Sequence, residues 1–224
     1  MTRSMFRVTA KALSSRCVRH KPMARIETLG QLAAIIPDPS PRAAAKLLDH
    51  LDEQALAFIA RSPFLFIGTE GADGIEISPK GDKAGFVEIV DDRTLLIPER
   101  PGNQLKMGLK NVLANGKIAL IFLCPPTGDA VRVTGRATLH DDADLCERHA
   151  MGGKPALLMM RIAIDRAFFH CPRAILRSEI WNTATWGDPM RISYGRIYAK
   201  ALGNPDIEPM FDAISEERNA DLWH

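Results

Sequence analysis

The chain has 224 residues, of which 46% are hydrophobic and 25% charged, and its formal net charge is +2. This length suffices for one sizeable hydrophobic core, and the near-neutral charge provides no basic field that would indicate a nucleic-acid partner. No apolar run approaches the roughly 20 residues that a membrane-spanning helix needs. We therefore expect a soluble protein that binds neither nucleic acid nor membrane.

The first 22 residues differ from the rest of the chain. They contain six Arg and Lys residues together with Ser and Thr, and no acidic residue precedes Glu27. This composition is typical of an organelle transit peptide. The alternative is an upstream extension followed by a domain that starts at Met23, and we favour it because "MARIETLGQL" begins the first amphipathic pattern. We predict a disordered basic extension over residues 1–22.

An N-terminal helical segment is expected over residues 23–62. A short helix over 26–36 would stop at "PDPSP" (37–41). A longer helix is predicted over 41–62, because apolar residues recur there at helical spacing and Pro41 stands near its start. It would end at Ser62, before Pro63.

From residue 63 onward the pattern changes to short strands. "FLFIGTE" and "IEISPK" flank "GADG", and "GFVEIV" and "TLLIPE" flank "DDR", both compositions of hairpin turns. A helix is predicted over 103–115, ended by Gly116. "KIALIFL" and "AVRVTGRATLH" are the next predicted strands.

The remaining elements are a helix near 141–151, a bent strand over 156–171 and a short helix that starts at Pro172. The C-terminal tail, residues 183–224, is predicted to contain one surface helix. Hairpins outnumber βαβ units, which argues against a doubly wound parallel sheet. We expect a mainly β fold with peripheral helices (α+β), arranged as a small antiparallel barrel over residues 63–182.

Several common catalytic signatures are absent from the sequence. There is no G-x-G-x-x-G, no complete Walker loop and no G-x-S-x-G. The four cysteines form no C-x-x-C pair, so we interpret them as the reduced thiols of a cytoplasmic protein. Cys146 and His149 with His170 and Cys171 could form a zinc site, but packed thiols and a surface histidine are favoured over it, because structural zinc sites have two close ligand pairs. No metal site and no catalytic side chain are predicted.

Cationic and amide side chains are concentrated in two strand-end loops. Lys80 and Lys83 follow one predicted strand, and Arg100, Asn103 and Lys106 follow another. These loops are either merely solvated or shaped around an anion. Because a helix is predicted to start directly after "ERPG", its N-terminal amides would point towards an anion held there.

The order of several motifs resembles one known family. "SPKGD", "IPERPGN" and "RVTGRA" follow each other within residues 37–182, a pattern similar to the pyridoxamine 5′-phosphate oxidase-like superfamily and its branch of predicted flavin-nucleotide-binding proteins. The resemblance implies an FMN-binding split β-barrel that forms a homodimer, with flavin at the subunit interface. It implies redox chemistry on a small molecule, without naming the substrate.

The resemblance also suggests residues that bind FMN. Ser78 and Lys80 match the strand that faces the flavin, with Lys80 near the edge of the isoalloxazine ring. Arg100, Gly102 and Asn103 match the loop that approaches the phosphate.

Five further positions are cofactor-binding candidates. Lys110 could reach the same phosphate or be an ordinary surface residue. Arg132 alternates with two valines, and we expect it to face the barrel, where the flavin would be its partner. Arg177, Ser178 and Trp181 match the C-terminal flavin-contacting region, and positions 177 and 181 would share one helix face.

Three functions remain open from the sequence. The first is an FMN-dependent oxidoreductase that acts on an unidentified small molecule. The second is a flavin-binding or sensing module without turnover. The third places haem or a deazaflavin in the same fold. Vitamin B6 oxidation itself is disfavoured, because the arginine-rich substrate motifs of pyridoxamine 5′-phosphate oxidase proper are missing.

Overall fold

A computed structural model describes residues 24–102 and 104–220. The chain divides into two compact units, residues 1–41 and 42–224. In the first, helix α1 (Leu29–Ile35) lies within the predicted 26–36 and begins at a capping box in which Thr28 and Gln31 bond each other's backbone. The predicted extension over 1–22 lies outside the described residues, and the predicted domain boundaries stay predictions.

The second unit contains one seven-stranded antiparallel sheet. Its strand order is β2-β1-β5-β6-β7-β4-β3. The strands are β1 (Phe64–Gly71), β2 (Gly74–Gly81), β3 (Glu88–Asp91), β4 (Thr94–Glu99), β5 (Lys117–Leu123), β6 (Ala130–His140) and β7 (Leu158–His170). The prediction of a mainly β, antiparallel fold with helices is confirmed.

The core lies on one face of this sheet. Alternate residues of β1, β5 and β6 point into it, including Leu65, Phe122 and Val131, which are all fully buried. Helix α3 (Glu53–Arg61) adds Ala55 and Ile59 to the same cluster.

The sheet is strongly curved. Lys80 on β2 forms an ion pair with Glu99 at the end of β4, although these strands stand near opposite ends of the strand order. This contact brings the two ends of the sheet together at one side of the core, and a cleft opens there.

The single helix predicted over 41–62 is wrong. Two helices occur instead, α2 (Pro41–Ala44) and α3, because the backbone between them bonds to the sheet. Leu48 exchanges backbone hydrogen bonds with Ala167, and the Leu51 amide donates to the Asp92 carbonyl. Asp52 then starts α3 by accepting a hydrogen bond from the Ala55 amide.

Two other predicted helices are shorter than expected. Helix α4 (Met107–Asn115) begins four residues later than predicted, because Lys106 has a left-handed conformation with φ 57°. Its predicted end at Gly116 is confirmed. Helix α5 (Ala143–Arg148) is capped by Asp142 and ends at His149.

The C-terminal part contains more helix than predicted. After α6 (Arg173–Ser178) and a 3₁₀ turn (Thr183–Thr185), helix α7 (Tyr194–Leu202) packs against α8 (Glu208–Ala220), and a second 3₁₀ turn (Pro205–Ile207) lies between them. The short helix α6 and the last helix, α8, were predicted, whereas α7 was not. Within the described part of the chain, every helix is too short or too polar to cross a lipid bilayer.

Candidate functional site: a cleft between strands β2 and β4

A cleft of about 350 Å³ opens where the end of β2 meets the end of β4. This volume lies within the range of about 300–1,000 Å³ that is usual for small-molecule sites. We call it the β2–β4 cleft. Its lining combines three ionic side chains with an aromatic ring and prolines: Ser78, Pro79, Lys80, Gly81, Phe86, Pro98, Glu99, Arg100, Pro101 and Gly102.

The ion pair of Lys80 and Glu99 lies in the wall of this cleft. The Lys80 Nζ donates to Glu99 Oε2, and the side chains are only 14% and 5% exposed. The other carboxylate oxygen, Oε1, is buried and has no hydrogen-bond partner among the residues that the structure describes. Burial of a charged group without its full set of hydrogen bonds is costly, so this oxygen is an unusual feature.

Arg100 is held by the protein itself. Its Nε and one terminal nitrogen donate to Asp82 Oδ2 at 3.1 and 2.9 Å, and the other terminal nitrogen donates to the His149 carbonyl at 2.6 Å. The Asp82 side chain is 6% exposed and that of Arg100 19%. Three of the five guanidinium N–H groups are therefore engaged, and the positive charge of Arg100 is balanced.

The N-terminus of α4 lies beside Ser78. A Cβ atom built on Gly108, in the first turn, would be 3.4 Å from Thr69 Oγ1 and 3.9 Å from Ser78 Oγ. First-turn amides lack intrahelical acceptors and attract anions. The chain reaches this helix from the cleft through Gly102, whose φ of 127° favours glycine, and Lys106.

The structure brings together four of the ten predicted cofactor-binding residues. Ser78, Lys80, Arg100 and Gly102 all line the β2–β4 cleft. Asn103 lies outside the described residues. Lys110 is an exposed residue of α4 and does not line the cleft.

The expectation that Arg132 faces the barrel is wrong. Its neighbours Val131 and Val133 are buried, whereas Arg132 is exposed and lies 5.5 Å from the centre of the Phe168 ring. Side chains alternate along a strand, so an arginine between two core valines must face outward. By strand register Lys80 lies on the same face as Val131, opposite Arg132.

The predicted helical pair of Arg177 and Trp181 is also wrong. Helix α6 ends at Ser178, and Glu179 takes a left-handed conformation, so Trp181 lies beyond the helix. The Trp181 indole N–H donates to the Thr127 carbonyl at 3.0 Å, and the Ser178 hydroxyl donates to the Ile175 carbonyl. Arg177, Ser178 and Trp181 do not line the β2–β4 cleft.

Sequence reasoning missed Glu99, Asp82 and Phe86. Glu99 and Asp82 stand inside the motifs "IPERPGN" and "SPKGD", next to the cationic residues that were predicted as ligands. A usable signal existed for Glu99, because it ends the largely apolar run "TLLIPE", which was predicted as a strand. A charged residue in such a strand requires a partner.

The alternative of a zinc site at Cys146 and His149 has no matching geometry. His149 Nε2 lies 2.6 Å from Glu88 Oε2, and Cys146 is buried, which raises the pKa of its thiol. Among residues 24–102 and 104–220, no group of three or more His, Cys, Asp or Glu side chains is placed to hold a metal ion.

This architecture is that of an α+β protein built on one antiparallel sheet, with a polar cleft where strands β2 and β4 meet. The family model described as pyridoxamine 5′-phosphate oxidase matches residues 51–171, more than half of the chain. The chain therefore belongs to the pyridoxamine 5′-phosphate oxidase-like superfamily. No curated protein matches it.

Several solved structures have a similar fold. A protein from Lactobacillus delbrueckii described as a putative pyridoxamine 5′-phosphate oxidase is 22% identical, with 54% of this chain and 95% of that chain covered and a TM-score of 0.43. HupZ of Group A Streptococcus is 21% identical, with 53% of this chain and 93% of that chain covered and a TM-score of 0.43. An FMN-binding protein from Syntrophomonas wolfei is 16% identical, with 53% of this chain and 85% of that chain covered and a TM-score of 0.42. At these identities and TM-scores, the likeness carries no function to the present chain.

Proposed function

We propose that the protein is a split-barrel flavoprotein that binds FMN in the β2–β4 cleft and catalyses oxidation or reduction of a small molecule. One observation carries this proposal: Ser78, Lys80, Arg100 and Gly102 converge on a single cleft beside the N-terminus of α4. Membership of the superfamily supports the choice of FMN over other anionic ligands.

The residues at the phosphate end fit a dianionic group. The first-turn amides of α4 are donors for phosphate oxygens, and Ser78 Oγ is beside them. Lys110 is exposed on the second turn and adds positive charge. Arg100 fits less well as a direct phosphate ligand, because Asp82 and the His149 carbonyl already hold it. The role that we propose for Arg100 is instead to hold the conformation of the loop that follows β4.

The residues at the ring end fit a planar heterocycle with polar edges. Phe86 and Pro98 supply apolar surface, and Lys80 supplies a donor and a positive charge. Bound FMN would supply the hydride and electron chemistry. The chain would orient the ring and exclude water, and Lys80 would donate a hydrogen bond to the ring edge.

Histidine, the most common proton donor in enzymes, is absent from the described residues of the cleft. His170 is exposed at the end of β7 and does not line the cleft. The non-catalytic flavin module is the second candidate function. The absorbance spectrum of the purified protein distinguishes flavin from haem and from a deazaflavin.

Titration of the apo-protein with FMN and with riboflavin, followed by fluorescence, tests the proposal. We expect FMN to bind more tightly than riboflavin, because only FMN has the phosphate. Ser78→Ala should lower the affinity for FMN roughly tenfold, which is about the effect of one charge-assisted hydrogen bond. The affinity for riboflavin should fall much less. Lys83→Ala, at an exposed position outside the cleft lining, is the control. Absence of FMN binding by the wild-type protein would refute the function.

A further inference from the structure

The most unusual atom of the β2–β4 cleft is Glu99 Oε1. It belongs to a carboxylate that is 5% exposed, in the wall of the cleft, and it has no hydrogen-bond partner among the described residues. The other oxygen of the same carboxylate is satisfied by Lys80. A buried carboxylate normally accepts several hydrogen bonds, so the second oxygen is suited to a donor that arrives with a ligand.

Lys80 and Glu99 together present a donor next to an acceptor. Lys80 can donate up to three hydrogen bonds, one of which goes to Glu99 Oε2. The imide edge of an isoalloxazine ring has the complementary pattern, since an N–H group (N3) stands between two carbonyl oxygens. A phosphate, by contrast, offers no donor to a carboxylate and would be repelled by it.

We infer that Glu99 is a recognition residue for the ring, whose Oε1 accepts a hydrogen bond from the N3–H of the flavin imide while Lys80 faces the neighbouring carbonyl. This inference rests on the proposed function and adds a specificity element to it. Oε1 is covered in the present arrangement. Contact with N3–H requires rotation about the terminal torsion of Glu99, which is a soft, broadly populated torsion.

The inference predicts which ligands the cleft selects. A ring with an imide N–H should be preferred over the same ring methylated at N3. Since a hydrogen bond to a charged acceptor is involved, we expect wild-type protein to bind FMN about ten- to a hundredfold more tightly than 3-methyl-FMN.

A double variant separates recognition from steric exclusion. Lys80→Met/Glu99→Leu replaces both charges by apolar groups of similar size, which avoids an uncompensated buried charge. The leucine keeps bulk against an N3-methyl group, so a purely steric preference would survive. Loss of the hydrogen-bond acceptor should instead reduce the FMN to 3-methyl-FMN affinity ratio to about one.

A matched pair outside the cleft provides the control. Glu70 and Lys117 form an exposed Glu–Lys ion pair at 3.0 Å. Lys117→Met/Glu70→Leu should leave the affinity ratio unchanged.

A second measurement does not depend on the folding of any variant. In wild-type protein loaded with ¹⁵N-labelled FMN, the N3–H proton should give a slowly exchanging NMR signal, because it is bonded to a buried carboxylate.

The outcomes distinguish the inference from the proposed function. Absence of FMN binding by the wild-type protein overturns both. Tight FMN binding with equal affinity for 3-methyl-FMN, or with no protected N3–H signal, overturns the inference alone. Retention of the wild-type affinity ratio by the double variant also overturns it, since the preference is then steric.

Discussion

Arg100 illustrates how a residue's role depends on partners that are distant in sequence. The "ERPG" motif indicated a phosphate ligand, and Arg100 does lie at the cleft. Its hydrogen bonds, however, go to Asp82 and to the carbonyl of His149, which are 18 and 49 residues away. Such pairings follow from the folded sheet, and no local pattern indicates them. The cationic residues of the cleft were predicted from the sequence, whereas the carboxylates that balance them, Asp82 and Glu99, were missed.

Arg100→Ala should destabilise the fold. It would leave Asp82 as a nearly buried carboxylate without its cation, which costs about 3 kcal/mol for pairs of this kind. Urea unfolding should therefore give a lower midpoint, and the affinities for FMN and riboflavin should fall together. Arg93→Ala, which breaks an exposed pair with Asp49, should change stability little. A selective loss of FMN affinity in a stable Arg100→Ala protein would instead show that Arg100 clamps the phosphate.

At the scale of elements, the structure explains why the motif "RVTGRA" contains a glycine. Gly135 lies in β6 where the register to β7 shifts, at a bulge after Thr134. A Cβ atom built there would be 2.0 Å from the carbonyl oxygen of Ala163. The two longest strands of the sheet can approach each other at this bulge only because position 135 has no side chain.

Gly135→Ala is therefore expected to destabilise the sheet by about 3 kcal/mol, because backbone has to move to accommodate one methyl group. Thermal unfolding measured by circular dichroism tests this. Gly187→Ala is the matched control, since a Cβ atom there meets nothing within 4 Å. A Gly135→Ala protein with the stability of the control would mean that the bulge relaxes freely.

The helix predictions failed where tertiary hydrogen bonds replaced helical ones. The spacing of Leu47, Leu48 and Leu51 is helical, yet Leu48 bridges to Ala167 of β7. A local pattern contains no information about an acceptor 119 residues further along the chain. Helix α7 was missed, although Ser193 caps its start and Gly203 its end. Strand pairs predicted from local turns were reliable because their partners are neighbours in sequence.

The α7–α8 pair should respond to acid through Asp212. Its carboxylate accepts hydrogen bonds from the Gly195 amide at 2.7 Å and the Ser193 hydroxyl at 2.8 Å. The Gly195 bond, followed by the Ser193 bond, lowers the pKa of Asp212 below its ordinary value of 3.8. Because the folded-state pKa is the lower one, this stabilisation is present above about pH 4 and is lost as pH falls through the folded value.

Acid titration followed by the NMR signal of the Gly195 amide tests this. The signal should shift with an apparent pKa below 3.8 in the wild-type protein and should not titrate in Asp212→Asn. A titration at or above the ordinary value would show that Asp212 is not held by the start of α7.

At the scale of the whole molecule, the outer face of β2 is the feature that the fold leaves exposed. Ile75 and Ile77 are 75% and 69% exposed, and Phe66 on β1 lies on the same face by register. β2 is an edge strand, which makes it accessible to a further chain. We propose that this outer face contributes to a homodimer, in agreement with the subunit arrangement that the family resemblance implies.

The homodimer is tested by light scattering on the purified protein, with a dimer mass as the expected result. Ile75→Lys/Ile77→Lys places two charges on the outer face of β2 and leaves the core unchanged. Because buried unpaired charges oppose association, the measured mass should shift to that of a monomer. Leu113→Lys, at an equally exposed leucine of α4, is the control and should leave the dimer intact. A monomeric wild-type protein with FMN bound would refute the homodimer. A dimer that persists in the double variant would place the interface on another surface, because two lysines at the contact could not both be accommodated.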